Sequence, residues 1–428
     1  MDFDTLYKQA VLMNIVGWNV ATEPTEDSYL VEEMVSISFN KALKEFIDTN
    51  PNHKLSIFNK ETIIPEHLVE KRIQVSQKLW KKYLALREVK APADEEYFTL
   101  FDAVVKINQE VLKEKGLSPT NSLFLNDNRL GSEEFIFMVV EKLANISKEF
   151  LQAQPKNQVI PLKAQTFEEI ISFVESFNDL TYKVSNKNGS FMTGLDKDNS
   201  RIHINKSDDM FDVSSSVTHE VGHALYQNRV LNKNTEVGKI TQMISLSLHE
   251  SSSIIHEIAL SGIDFNVKKN NSSLFRLACD KVHYIIHIYI RMKIEALLFN
   301  NQITAKEIPN VWNDLVEEYI GIRPQHDWEG FLQDVHWNST TTTGSSFGYF
   351  HSYAIGFFHA VLMLSEIKDK LTGNMAHDTE DVILPKIQSW YGNYNEDSFN
   401  ILENMHPDIE KSIATYKSFI FNNFTYSD

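Results

Sequence analysis

Apolar residues recur at three- and four-residue spacing through most of the chain, the signature of helices that bury one face. The pattern predicts helices over 68–89, 96–115, 133–153, 166–178, 275–300, 307–319 and 354–370. One stretch departs from it. Arg201-Ile202-His203-Ile204-Asn205 alternates polar and apolar residues, the period of a strand, and the Asp-Lys-Asp-Asn before it reads as a turn. A small β-hairpin embedded in an otherwise all-α protein is expected. Two polar stretches, NSTTTTGSS over 338–346 and LTGNMAHDTED over 371–381, read as connections, the first as a mobile surface loop. No internal repeat and no long linker breaks the rest, so one continuous domain over 1–428 is expected.

Composition sharpens the helical reading. The 428 residues include only 15 glycines and 11 prolines, too few for a turn-rich β architecture, and 42% hydrophobic content allows a large core. A formal net charge of -17 argues against nucleic acid or an anionic membrane as the main partner. The single cysteine, Cys279, excludes an intramolecular disulfide and suits a reducing compartment. The opening MDFDTLYKQAVLMNIVGW lacks a basic segment followed by an apolar core and a cleavage site, and no apolar run reaches the ~18 residues of a membrane span. A cytoplasmic location is the expectation.

The candidate chemistry lies in VTHEVGHALY over 217–226. His219 and His223, four residues apart on a helix, can direct two imidazoles at one ion. Glu220 then sits where it can act on a water at that ion, as a general base. Ser214, Ser215 and Ser216 just upstream are candidate N-caps. A catalytic zinc needs a third protein ligand and one open position. SLSLHESSSIIHE supplies candidates, His249, Glu250, His256 and Glu257, on a second helical pattern. A carboxylate 25–30 residues after the second histidine recurs in one large class of such hydrolases, and Glu250 fits; spacing alone does not separate it from Glu257.

Several ordered motifs now bear on family. HEVGHALYQN resembles the HEGGHALYEQ of the carboxypeptidase Taq family of metallocarboxypeptidases, peptidase family M32, and His249-Glu250-Ser251-Ser252 resembles its HESQ motif. Phe275-Arg276-Leu277-Ala278-Cys279-Asp280 is similar to IRxxAD, and HIYIR over 287–291 to HIILR. The family's GxxQDxHW is complete from Gly330 to Trp337, and Ser345 to Tyr353 resembles GSFGYFPTY. Near the start, IVGWNVATEP and LFLNDNRLGSEE resemble LLxWDQETxMP and LLDxYEPGxxxEE. The departures fall on HPF and DxRxT, which read Gly189-Ser190-Phe191 and Asn199-Ser200-Arg201-Ile202-His203 here. The interval from Glu250 to Arg276 is shorter than in typical members, and the Thr-rich stretch after Trp337 looks inserted.

The resemblance implies a gluzincin-type zincin: an all-α body with a small β-hairpin near a deep groove, an N-terminal helical wall over 1–150, a catalytic core over 160–360, C-terminal helices over 361–428, and commonly a homodimer. It favours Glu250 over Glu257 as third ligand to one divalent ion, with Zn2+ the default and Co2+ or Mn2+ also accepted by such a ligand set. Glu220 is the general base, and His336 and Tyr349 are candidate donors to the oxyanion. The substrate is a peptide with a free C-terminus, whose carboxylate suits a planar guanidinium: Arg201, Arg276 or Arg291. A strand edge at Arg201 could also pair with an extended peptide. Two other readings are a specialised metal-dependent amidohydrolase and an inactive binding protein of the same fold.

Overall fold

The computed structural model describes residues 2–22, 28–53, 66–122, 129–153, 166–185, 190–196, 199–206, 209–231, 245–260, 272–342, 347–394 and 398–424, with the side chains of 272–279 outside that description. The chain divides into two compact units. One comprises Met1–Lys60, Gln154–Lys281 and Ile355–Asp428, the other Glu61–Ala153 and Val282–Ala354.

The helices follow the apolar stripes. The pattern over 96–115 forms helix Glu95–Glu114, started by Asp94, whose carboxylate accepts from the Tyr97 N–H at 3.0 Å. It buries Tyr97, Phe101, Val104, Asn108 and Val111, one face at three- and four-residue steps. Helices Glu66–Glu88, Glu133–Ala153, Phe167–Glu175, Ser272–Phe299, Ile308–Ile320 and His351–Ile367 answer to the other predicted spans. Helices Phe3–Thr22 and Ser28–Thr49 add to them. In the second unit Trp337 is fully buried against Phe101 (5.4 Å between ring centroids) and Trp312 (5.5 Å). Burial of one such side chain is worth ~1.5–3 kcal/mol.

The expected hairpin is present as β2 (Phe191–Asp196) and β3 (Asn199–Asn205), antiparallel. A third strand, β1 (Leu180–Ser185), pairs in parallel with β3, so the sheet order is β1-β3-β2. This corrects the edge reading of Arg201. Its strand is the central one, with Arg201 between Thr181 and Thr193, and its main chain is committed to two ladders.

Two polar stretches also differ from expectation. Residues up to Thr342 of the Thr-rich stretch continue helix Val335–Thr342, while 343–346 lie outside the described residues. The helix starts because the Asp334 carboxylate accepts from the Trp337 N–H at 2.9 Å, and Asn338 donates to the carbonyls of Phe331 and Asp334. In 371–381, Asp378 accepts from the N–H groups of Thr372 and Gly373, and a π-helical turn, Asp378–Ile383, follows. Local side-chain bonds to the backbone thus order what composition reads as loop.

Candidate metal centre

The first unit builds the centre on two helices. Met210–Leu225 carries His219, Glu220 and His223. Its N-cap is Asp209, which accepts from Phe211 and Asp212, so Ser214, Ser215 and Ser216 lie inside the helix rather than capping it. Val213, Val217, Val221 and Leu225 face the core and orient the histidines. The far end runs into a π-helical turn, Tyr226–Val230, fastened to the sheet region. There Arg229 forks onto Asp179 (2.6 and 2.9 Å) and reaches Glu380 (2.6 Å), and Ser200 donates to Asn228 at 2.8 Å.

The second helix, Leu246–Leu260, is buried along its length. It lies against the first at Gly222, where a Cβ would stand 2.6 Å from the Ser253 Cα and 2.7 Å from the Ser252 carbonyl oxygen. Ser252 uses that approach to donate to the Gly222 carbonyl at 3.1 Å. From the other side Gly356 of helix His351–Ile367 closes on Glu250, a Cβ there meeting the Glu250 Cβ at 2.8 Å. Only glycine at these two positions lets the backbones come this close.

The outcome is a convergent donor set. His219 Nε2 stands 3.6 Å and His223 Nε2 3.7 Å from Glu250 Oε2. Among the described residues, His219, His223 and Glu250 are the group whose ligand atoms all lie within 4.8 Å of one another. Ligands ~2.1 Å from a tetrahedral ion are ~3.4 Å apart, so these separations fit a zinc-sized ion without rearrangement. Burial holds the His223 imidazole well below its ordinary value, the neutral form that a metal needs.

Glu257, the other carboxylate that spacing left open, takes a different place. Its Oε2 lies 3.1 Å from His219 Nδ1, and it accepts from Ser215 Oγ (2.5 Å) and Lys281 Nζ (2.7 Å). A carboxylate on the far nitrogen of a ligating imidazole fixes its tautomer and turns its other nitrogen toward the ion. Burial alone would raise Glu257; Lys281 and His219 outweigh it and hold the carboxyl down at about 2. Burial also lowers His219, and Glu257, together with Glu220 and Glu250, more than reverses this, raising it overall. The signal was in the sequence: Glu257 follows Glu250 by seven residues, two turns along one face. Burial lifts the Glu220 carboxyl to about 7, against the pull of His219.

A family model for the carboxypeptidase Taq (M32) metallopeptidases matches residues 52–263 and 259–394. The chain belongs to this family. Membership in M32 brings with it a divalent metal. Carboxypeptidase 1 of Bacillus subtilis is 30% identical over 180 residues, 36% of this chain and 35% of that protein. Thermostable carboxypeptidase 1 of Pyrococcus furiosus is 29% identical over 208 residues, 41% of this chain and 40% of that protein. The chain thus covers well under half the length of these curated relatives. The fold extends further: a Pyrococcus furiosus carboxypeptidase structure superposes with a TM-score of 0.77 over 97% of both chains at 19% identity. Metallocarboxypeptidase 1 of Trypanosoma cruzi does so at 0.71, over 97% of this chain and 94% of that one, at 18% identity.

The M32 motif residues divide between the units. Arg201, in the first, lies over the Trp18 ring at 6.0 Å. His203, at the altered DxRxT motif, is buried, bonded to Ser185 Oγ (2.8 Å) and stacked on Phe191 (4.8 Å). Gly189 and the Arg276 side chain lie outside the described residues. In the second unit, Arg291, His336 and Tyr349 belong to one polar and aromatic cluster. Arg291 forks onto Asp334 (2.7 and 2.8 Å), lies over Phe350 (4.6 Å) and donates to Tyr284 Oη at 3.2 Å. Tyr284 Oη stands 2.9 Å from His336 Nδ1, and Tyr349 Oη stands 2.8 Å from Tyr353 Oη. Burial, then Arg291, holds His336 down at about 4, so it is neutral at pH 7. Among the described residues, no helix is long and apolar enough to cross a membrane.

Proposed function

We propose that the protein is a metallocarboxypeptidase, hydrolysing the C-terminal peptide bond of peptides. The observation that supports it most is the convergence of His219 Nε2, His223 Nε2 and Glu250 Oε2, with Glu220 beside them on the same helix. An ion held by these three would lower the pKa of a water toward neutrality and polarise the scissile carbonyl. Zinc suits two imidazoles and a carboxylate best, with cobalt or manganese also compatible.

Glu220 does the proton work. A carboxyl near neutrality can take the proton that the attacking water gives up and return it to the leaving amine. Glu257 holds His219 in place throughout. The roles of His336 and Tyr349 as oxyanion donors, and of Arg201, Arg276 and Arg291 in holding the substrate carboxylate, rest on the matched M32 motifs, as does a homodimer. The Asp334 carboxylate occupies the Arg291 fork.

The deciding experiment uses Glu220→Gln with paired peptides that end in a free carboxylate or an amide. The variant should retain its metal and lose ~10²–10⁴ in turnover, and the wild type should cleave only the free-carboxylate peptide. An unchanged rate refutes the role of Glu220; equal cleavage of amidated peptides refutes the carboxypeptidase reading.

A further inference from the structure

Helix Ser272–Phe299 carries a second pair of histidines at metal-binding spacing. His283 and His287 stand one turn apart, with ring centroids 4.7 Å apart and planes at 87°. The pair in the candidate centre, His219 and His223, has the same arrangement, 4.7 Å and 88°. Both second-pair histidines are half-buried, so neither is sealed from solvent. They lie on one face of a long continuous helix, which fixes the spacing of the two imidazoles before any ion arrives.

We propose that His283 and His287 form a second site for a divalent transition ion, separate from the His219, His223 and Glu250 centre and completed by water. Imidazole pairs select zinc, copper and nickel over magnesium or calcium, which prefer oxygen ligands. Arg291 lies one turn further along the same face, and its positive charge would oppose a dication. The Asp334 carboxylate, at 2.7 and 2.8 Å from it, offsets most of that charge.

The second site is weaker than the first because it is less complete. Among the described residues no third histidine, cysteine or carboxylate joins this pair within ligand distance, whereas Glu250 joins the other. Two imidazoles with water bind an ion more weakly than a three-ligand centre.

The test is a zinc titration of chelator-stripped full-length protein against a metallochromic dye, so that zinc alone is the probe. The wild type should take up two equivalents, one tight and one weak. His283→Gln/His287→Gln should lose the weak equivalent and keep the tight one; His219→Gln/His223→Gln should do the reverse. The single variant His283→Gln should weaken the second equivalent at least tenfold if the double variant fails to fold. One equivalent in the wild type, or a weak equivalent that survives His283→Gln/His287→Gln, overturns the proposal. Because the His219→Gln/His223→Gln protein reports on the second site alone, this outcome is independent of whether the first centre is catalytic.

Discussion

The two histidine pairs share their spacing and ring geometry, 4.7 Å at 88° and 4.7 Å at 87°, and differ in everything between and around the rings. In the first, the intervening residues are Glu220, Val221 and Gly222; in the second they are Tyr284, Ile285 and Ile286. Gly222 admits the backbone of a second helix, and that helix brings Glu250 beside the two histidines and Glu257 to the back of His219. At the equivalent place Ile286 is fully buried as core. Where Glu220 offers a carboxylate near neutrality, Tyr284 offers a hydroxyl committed to Arg291 and His336. Spacing alone brings two imidazoles together; a close neighbouring helix adds a third convergent donor, with a carboxyl nearby and a carboxylate behind the first histidine.

The strongest way to break this contrast is Gly222→Ala. The new Cβ would meet main-chain atoms at 2.6 and 2.7 Å, so relief requires the two helices to separate. Separation carries Glu250 away from both histidines. Zinc affinity should fall by more than the ~100-fold that loss of a supporting partner can cost, with ~1–3 kcal/mol lost in stability from overpacking. Chelator competition and denaturant melts measure the two. Wild-type affinity in a folded Gly222→Ala protein would show that the close approach does not set the ligand geometry.

A milder change sharpens the contrast without moving the backbone. Glu257→Gln keeps the size of the side chain and removes the charge that orients His219 and balances Lys281. Affinity of the tight site should drop ~10–100-fold, equal to ~1.4–2.8 kcal/mol, while the weak site stays as it was. Parallel loss at both sites would point to a general loosening of the protein.

How far the sequence reveals these differences depends on how local each cause is. Helices such as Glu95–Glu114 and Ile308–Ile320 emerge within a residue or two because a single helix carries its own apolar stripe. Strand β1 does not, because six residues with a parallel partner are defined by the pairing and not by their own pattern. The serines before His219 resemble caps by type, yet the helix begins earlier at Asp209, and Ser215 turns out to serve Glu257. The Thr-rich stretch reads as loop by composition, while Asp334, outside it, starts the helix. Within the centre, the histidines and Glu250 follow from spacing and motif. The pinning of Arg291 by Asp334 joins residues far apart in sequence, and only the fold brings them together.

A last expected effect, on pH-dependent stability and not on metal, concerns the far end of the second pair's helix face. His283, His287, Arg291 and Glu295 recur every four residues, and Glu295 ends the series as a fully buried carboxyl. Burial lifts it to about 8, although the Gly348 N–H donates to it at 2.9 Å and Trp337 and Arg291 also favour its charged form. Its value in the unfolded chain is near the ordinary glutamate range of about 4.3, so the folded protein binds a proton that the unfolded chain releases. The resulting stabilisation is complete below about pH 4.3 and is lost as pH rises through about 8. Between these limits wild-type stability should decline with pH by up to ~1.4 kcal/mol per unit from this group. Glu295→Gln cannot ionise and retains an acceptor for Gly348, so its denaturant midpoints from pH 5 to 8 should decline less steeply than those of the wild type. Parallel pH profiles for the two proteins would mean that Glu295 is already charged in the fold, and that the end of this helix face tolerates a charge which the burial argument says it should not.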